Sequence, residues 1–316
     1  MRAFITGASG FIGSYLLREL INTGHEVLAM KRPTTNLYRI EDCSTKVEWI
    51  EDSLTCVDEI KAFKPEIIFH LAWEGVAAKD RTSWSVQETN IQLLQRILDV
   101  ATECGTKKFV GIGSQAEYGT FESKIREDSP ANPISAYGAT KVACYTILKT
   151  YCEMHQINWY WFRLFPCFGP KEDDSWLIPS LIKSIYTQDY MDLTPGEQRL
   201  AYMYVGEVAR AICSPISVNK NLSGVYNISS DNPISLKELV TYIRDMVAPS
   251  FKLNFGALPY RQGQCMYMVG DTTKLRRNLY VPDTVTFNEK LKETIGYYIN
   301  IYSNGHQLSE RSSKRG

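Results

Sequence analysis

"ITGASGFIG", residues 5–13, decides how the rest of the chain is read. A short apolar-leaning run, "RAFIT", leads into it, and an amphipathic stretch follows in "GFIGSYLLRELINTG". A strand that turns through glycines into a helix is an arrangement that seats a pyrophosphate. Glycine permits the tight turn, its missing side chain lets backbone N–H groups come close, and the helix N-terminus favours negative charge. Three glycines alone are a weak signal, and their place between a predicted strand and a predicted helix strengthens it. The dinucleotide contacts of this loop are assigned to Gly7, Ser9, Gly10, Phe11, Ile12 and Gly13.

Working outward, the first two-thirds of the chain alternates β-rich runs with helical patterns. "RAFIT", "EVLAM", "VEWI", "EIIFHLA", "KKFVGIGS" and "NWYWFRLF" read as strands, mostly apolar throughout, as strands covered on both faces must be. Between them lie amphipathic stretches such as "ETNIQLLQRILDVATECG", which ends on a glycine where a helix C-cap would sit. The alternation predicts an α/β fold with a doubly wound parallel sheet and a binding crevice at the carboxyl ends of its strands. Residues 1–165 are expected to form the dinucleotide-binding domain. From 166 prolines and loops interrupt the pattern and strands become sparse, so 166–302 is expected to form mainly a smaller substrate-binding lobe. Residues 204–230, with "SGVYNISS" as a last strand, are expected to return to the main domain, and 303–316 read as a polar, disordered tail.

The bulk composition narrows the class. A chain of 316 residues, 44% hydrophobic and 22% charged, can bury a full core. Thirty-five basic residues balance 35 acidic ones, so no net charge draws the protein to nucleic acid or to an anionic membrane. No apolar run approaches bilayer length and the N-terminus does not read as a signal peptide, which predicts a cytoplasmic protein. The eight cysteines and four histidines are scattered without ligand-like spacing, which predicts reduced thiols and no metal.

Two further stretches carry chemistry. "HEVLAMKRP" ends the second predicted strand on Lys31 and Arg32, where an NAD site offers an acid to the ribose 2′-hydroxyl and an NADP site must supply a cation to the 2′-phosphate, so NADPH/NADP is the expected cofactor. In "YGATK" the i, i+4 spacing puts Tyr137 and Lys141 on one helix face. A free phenol has a pKa of about 10, and an adjacent ammonium, together with an oxidised nicotinamide, is expected to bring it toward the working range. Ser114, ending a predicted strand in "GIGSQAEYG", can hydrogen-bond the oxygen that Tyr137 protonates. Ser, Tyr and Lys around a nicotinamide make a site for hydride transfer to a carbonyl.

These motifs in this order, with "HLA", "RLFPCFGP" and "LPYRQGQCMYMVGDTTKL", resemble the extended short-chain dehydrogenase/reductase family of nucleotide-sugar epimerases, dehydratases and ketoreductases over residues 1 to roughly 300. The resemblance implies a Rossmann domain and a C-terminal sugar-nucleotide lobe, and places Ser114, Tyr137 and Lys141 as catalytic, with Asn90 supporting them. It also implies cofactor contacts from Asp52, Ser53, Leu71 and Ala72, substrate contacts from Trp73, Ser114, Gln115 and Tyr137, and diphosphate contacts from Arg199 and Arg261. A homodimer is common among such proteins.

Departures from the pattern sharpen the expected activity. Dehydratases of the family carry an Asp-Glu pair after the catalytic hydroxyl residue. Here Gln115 and Ala116 stand there, and neither can act as a general acid or base. "HLAWEGV" with "GSQAEYG" resembles the subgroup that reduces nucleotide-linked 4-keto-6-deoxyhexoses, including dTDP-4-keto-6-deoxyglucose reductases and CDP-abequose synthases. Pro166 replaces an asparagine that many relatives use for substrate. The expectation is an NADPH-dependent 4-ketoreductase of a dTDP- or CDP-linked 6-deoxyhexose in surface polysaccharide biosynthesis. An NAD-retaining nucleotide-sugar epimerase and a non-catalytic dinucleotide sensor stay open as alternatives.

Overall fold

The structure, a computed structural model, describes residues 1–313 apart from 53–55, 262 and 284–285, with side chains described through residue 303. In chain order the first half contains β1 (Arg2–Thr6), α1 (Phe11–Asn22), β2 (Glu26–Lys31), β3 (Glu48–Glu51), α2 (Cys56–Phe63), β4 (Ile67–His70), α3 (Trp84–Glu103), β5 (Lys108–Ser114), α4 (Ala136–Met154) and β6 (Asn158–Leu164). The second half contains β7 (Cys167–Phe168), α5 (Leu177–Thr187), β8 (Tyr190–Leu193), β9 (Arg199–Leu200), β10 (Met203–Tyr204), α6 (Val205–Cys213), β11 (Gly224–Ile228), β12 (Ile234–Ser235), α7 (Leu236–Val247), β13 (Lys252–Phe255), β14 (Tyr267–Met268), α8 (Thr273–Asn278) and α9 (Phe287–Ser313).

Seven strands form one parallel sheet in the order β3-β2-β1-β4-β5-β6-β11. The order reverses between β1 and β4, and in such sheets the ligand crevice opens outside the carboxyl ends at that point. Side chains alternate between two cores because successive strand residues point to opposite faces. Ala3, Ile5, Val27, Ala29, Phe69, Tyr160 and Phe162 pack on one side with Leu16, Leu17 and Ile212. Phe4, Leu28, Met30, Ile68, Phe109 and Trp161 pack on the other with Leu94, Leu98 and Leu148. All six runs expected as strands in the first half are present, and both named helical stretches end before a glycine of positive φ, Gly24 at 77° and Gly105 at 65°.

The chain leaves the main sheet after Leu164 and returns at β11, which pairs in parallel with β6. Before it returns, α6 packs Val208, Ala209, Ala211 and Ile212 into the core beside α1. The intervening and following residues build a third core, in which Phe168, Ile178 and Leu181 meet Leu239, Ile243, Leu291 and Ile295.

This region is richer in strands than the sequence pattern suggests. It holds the pairs β7–β10 and β8–β13 and the three-stranded set β12-β9-β14, built from strands of two to four residues, too short to show a period-two signal. The expected polar tail from 303 begins inside α9, whose helical assignment runs to Ser313, and residues 314–316 lie outside the described ones. None of the described helices is long and apolar enough to cross a membrane, and the described residues contain no His, Cys, Asp and Glu group that could hold a metal ion.

Candidate active site

At the carboxyl end of β1 the chain turns sharply at Gly7, φ 76°, and enters α1 through Gly10. A side chain at Gly7 would put its Cβ 2.6 Å from the Ala72 nitrogen and 2.8 Å from the Leu71 carbonyl carbon, so only glycine lets the loop lie against the residues after β4. A Cβ at Gly13 would overlap the Gly7 carbonyl oxygen, which holds the first turn of α1 hard against the loop. Leu71 and Ala72 therefore border this cradle, and the Ala72 N–H donates to the Thr6 hydroxyl at 3.2 Å. Phe11 and Ile12 open α1 and, like Ser9, are half-buried. A loop of close-packed main chain at a helix N-terminus fits a pyrophosphate.

The end of β2 is less simple than its sequence. Lys31 is in register with Glu51 of β3, and its ammonium lies 2.9 Å from that carboxylate. Arg32 is exposed, and the side chain shows no pairing with an acid among the described residues, while its backbone N–H donates to the Thr35 hydroxyl. Asp52 pairs with Arg96 of α3 at 2.5 Å, and Ser53 lies outside the described residues.

Ser114, Tyr137 and Lys141 converge from separate segments. Ser114 ends β5 and caps a short 3-10 turn, Gln115–Glu117, accepting the Ala116 N–H on its hydroxyl. Tyr137 and Lys141 sit in the first two turns of α4, whose N-cap Ser135 accepts the Gly138 N–H. Gly138 is the reason these two pieces meet, since a Cβ there would come within 2.5 Å of the Ala116 carbonyl oxygen. Ser114, Tyr137 and Lys141 are 9%, 7% and 3% exposed, and the serine side chain lies near enough to the phenol to lower its pKa. Gln115 is half-buried at the start of the same turn.

Lys141 does not point at the phenol. Its ammonium donates to the Ile112 carbonyl at 2.7 Å and lies 3.3 Å from the centre of the Trp73 ring, against 5.7 Å for the Tyr137 ring. Burial pushes its pKa down to about 7. Burial likewise raises the Tyr137 pKa, and the largest opposing influence is Arg81, followed by Ser114. For the protein by itself burial dominates the phenol and Arg81 is the largest opposing influence, while the expectation joined the lysine ammonium to an oxidised nicotinamide.

Trp73, expected at the sugar, is committed to this cluster. Its indole meets Tyr137 edge-on at 5.9 Å and donates to Gln87 at 3.0 Å. Asn90 supports the site through the main chain, accepting the Glu74 N–H at 2.7 Å and donating to the Glu74 carbonyl, which pins the loop that carries Trp73. Of the two expected diphosphate ligands, Arg199 is exposed on β9 and donates to the Pro233 carbonyl, and Arg261 is exposed on the loop before β14.

Three contributors were missed from sequence. Gln87 orients Trp73. Arg81 stacks on Tyr137 with its Cζ 4.8 Å from the ring centre. Glu117, fully buried, accepts the Ser114 N–H at 2.8 Å, the Trp161 indole N–H at 3.0 Å and the Arg163 Nε at 2.7 Å, so an ion pair beneath the turn fixes the serine backbone. The one available signal was a charged residue amid the apolar positions of "GSQAEYG" and another in "NWYWFRLF", since buried charges pair.

Comparison with known proteins agrees with this construction. The NAD dependent epimerase/dehydratase family model matches residues 3–229. The chain is 27% identical to the CDP-abequose synthase of Salmonella muenchen over 282 residues, 87% of this chain and 91% of that one. It is also 27% identical to the UDP-glucose 4-epimerase of Mycolicibacterium smegmatis over 320 residues, 95% and 99% of the two chains. Its fold is that of the UDP-N-acetylglucosamine 4-epimerase from Methanobrevibacter ruminantium M1, with TM-score 0.85, 24% identity, and 95% and 98% of the two chains covered. With its glycine cradle and its serine at the ends of one parallel sheet, and its tyrosine and lysine on the adjoining helix α4, the chain belongs to the NAD dependent epimerase/dehydratase family of extended short-chain dehydrogenases/reductases.

Proposed function

We propose that the protein is an NADPH-dependent reductase of the 4-keto group of a nucleotide-activated 6-deoxyhexose, dTDP- or CDP-linked. The observation that carries the reading is the end of β2, where Lys31 and the exposed, acid-free Arg32 stand in place of a ribose-binding carboxylate. An enzyme that consumes its reductant at each turnover suits NADPH. The neutral Gln115 and Ala116 after Ser114 speak against dehydration, and the likeness to CDP-abequose synthase supports a deoxysugar substrate.

The glycine cradle between β1 and α1 fits the pyrophosphate of a dinucleotide, and a bound NADPH supplies the hydride. Tyr137 donates its phenolic proton to the carbonyl oxygen as that oxygen gains charge, and recovers a proton from solvent. Ser114 donates a hydrogen bond to the same oxygen and steadies the developing negative charge. Trp73 and Lys141 close the cluster from behind, and Glu117 with Arg163 keeps the serine backbone in place.

The test mixes purified protein with NADPH and a panel of dTDP-, CDP-, UDP- and GDP-linked 4-keto-6-deoxysugars, follows absorbance, and assigns products by NMR. Stoichiometric NADPH oxidation with a 6-deoxyhexose product is expected. A second reading, an NAD-retaining epimerase, is favoured by Glu51, whose carboxylate neutralises Lys31 from the neighbouring strand end. NAD carried through purification, with no net NADPH oxidation by any ketosugar, would establish that reading instead.

A further inference from the structure

Arg81 lies between β4 and α3, outside the motifs that the reaction above draws on. Its Cζ is 4.8 Å from the centre of the Tyr137 ring and 5.6 Å from that of Trp176, the N-cap of α5. Two contacts fix the arginine on the sheet side of the crevice. Its carbonyl accepts the Tyr137 N–H at 2.9 Å, and its Nε donates to the Val76 carbonyl at 2.8 Å. On the lobe side a turn at Asp173 sets the indole in place: the Asp173 carboxylate accepts the Ser175 N–H at 3.0 Å and hydroxyl at 2.6 Å, and the Asp173 carbonyl accepts the Trp176 N–H at 3.0 Å. Trp176 is 43% exposed, so this wall is open to the crevice.

The half-buried guanidinium is held but not neutralised. Among the described residues its Nη1 and Nη2 have no hydrogen-bond acceptor, and no carboxylate forms a salt bridge with it. Two free donor nitrogens in one plane match two oxygens of a phosphate. Two rings and the Val76 carbonyl already restrict the side chain, so little further ordering is needed when an anion arrives.

We infer that Arg81, walled by Trp176, binds the sugar-proximal phosphate of the nucleotide sugar and thereby sets which ring carbon meets Tyr137. The inference rests on the reading above that the substrate is a nucleotide-activated hexose reduced at C4. C4 and the anomeric carbon are opposite corners of a pyranose. A keto oxygen at the Tyr137 hydroxyl therefore puts the anomeric phosphate one ring away, within reach of a cation stacked on that phenol. Anchors at both ends of the ring fix its register. Among the described residues no other arginine stacks on Tyr137, and Arg199, expected at the diphosphate, donates to the Pro233 carbonyl from β9.

Calorimetric titration with nucleotides tests this without turnover. With the dinucleotide site saturated by NADP+ or NAD+, dTDP, CDP, UDP and GDP are each compared with the matching monophosphate. The wild-type protein should bind its preferred diphosphate more tightly than the monophosphate of the same base. Arg81→Gln, and Arg81→Met, which keeps the aliphatic stem between the rings, should each weaken the diphosphate by about 10- to 100-fold and leave the monophosphate within about twofold. Arg81→Lys should recover part of the loss, since an ammonium keeps the charge without the fork. Trp176→Ala should weaken the diphosphate by a smaller factor. Unchanged diphosphate affinity in folded Arg81→Gln and Arg81→Met overturns the inference. So does an equal loss for diphosphate and monophosphate, the mark of a brace between loop and lobe. So does a wild-type protein that gains nothing from the second phosphate. The titration needs no ketosugar, so failure of the wild-type protein to reduce any ketosugar refutes the proposed function and leaves the nucleotides to decide the role of Arg81.

Discussion

Where β1 runs into α1 the crevice is walled by main chain, with Gly7, Gly10 and Gly13 letting backbone approach backbone, whereas beyond β5 it is walled by side chains from the loop after β4, the turn after β5, α3, α4 and the start of α5. The first end is specified by nine consecutive residues. The second exists only once five distant segments have docked. A main-chain site tolerates almost no change at its glycines but does not depend on side-chain chemistry, while a side-chain site can be retuned one group at a time. Substitutions at the two ends should therefore fail in different ways.

The largest effect is expected at the side-chain end. Tyr137→Phe should lower kcat by roughly 100- to 10,000-fold while dinucleotide binding, measured by fluorescence quenching, stays near wild type. Equal loss of binding would mean that the two ends are not separable. Next comes the support beneath Ser114. Glu117→Gln leaves Arg163 charged and buried without its partner, at a cost of about 3 kcal/mol of folding stability in denaturant titration. A variant as stable as wild type would show that the ion pair does not hold the turn.

At the main-chain end, Gly13→Ala should destabilise the fold by about 1–3 kcal/mol, because its methyl group must displace the Gly7 carbonyl, and it should weaken dinucleotide affinity as well. Undiminished affinity in that variant would show that the loop can relax, contrary to a rigid cradle. The smallest effect sharpens the choice of cofactor: Arg32→Ala should reduce the preference for NADPH over NADH by about tenfold, read from the ratio of dissociation constants. Lys31→Ala should do less, since Glu51 already neutralises that ammonium. The reverse ranking would place the 2′-phosphate at Lys31.

The legible parts of the molecule share one property, locality. The strand runs, the glycine loop, the i, i+4 pair of Tyr137 and Lys141 and the capping glycines Gly24 and Gly105 are each set within a few consecutive residues, so pattern alone placed them. The smaller lobe shows little strand pattern because its strands hold two to four residues and are stabilised by partners far along the chain, as in β13 with β8. Arg81 and Gln87 carried no motif at all. Arg199 and Arg261 did, and each stands exposed.

By itself, then, the sequence determined the doubly wound sheet, the glycine cradle at its switch point and the identity of the serine, tyrosine and lysine, because hydrophobic period and glycine's conformational freedom act at short range. Only the tertiary structure decided which charges reach which groups. Lys31 meets Glu51, Lys141 turns to Ile112 and Trp73, and Arg81 lies on Tyr137. Electrostatic interaction falls with distance and rises with burial, and both are fixed only when segments remote in the chain have packed.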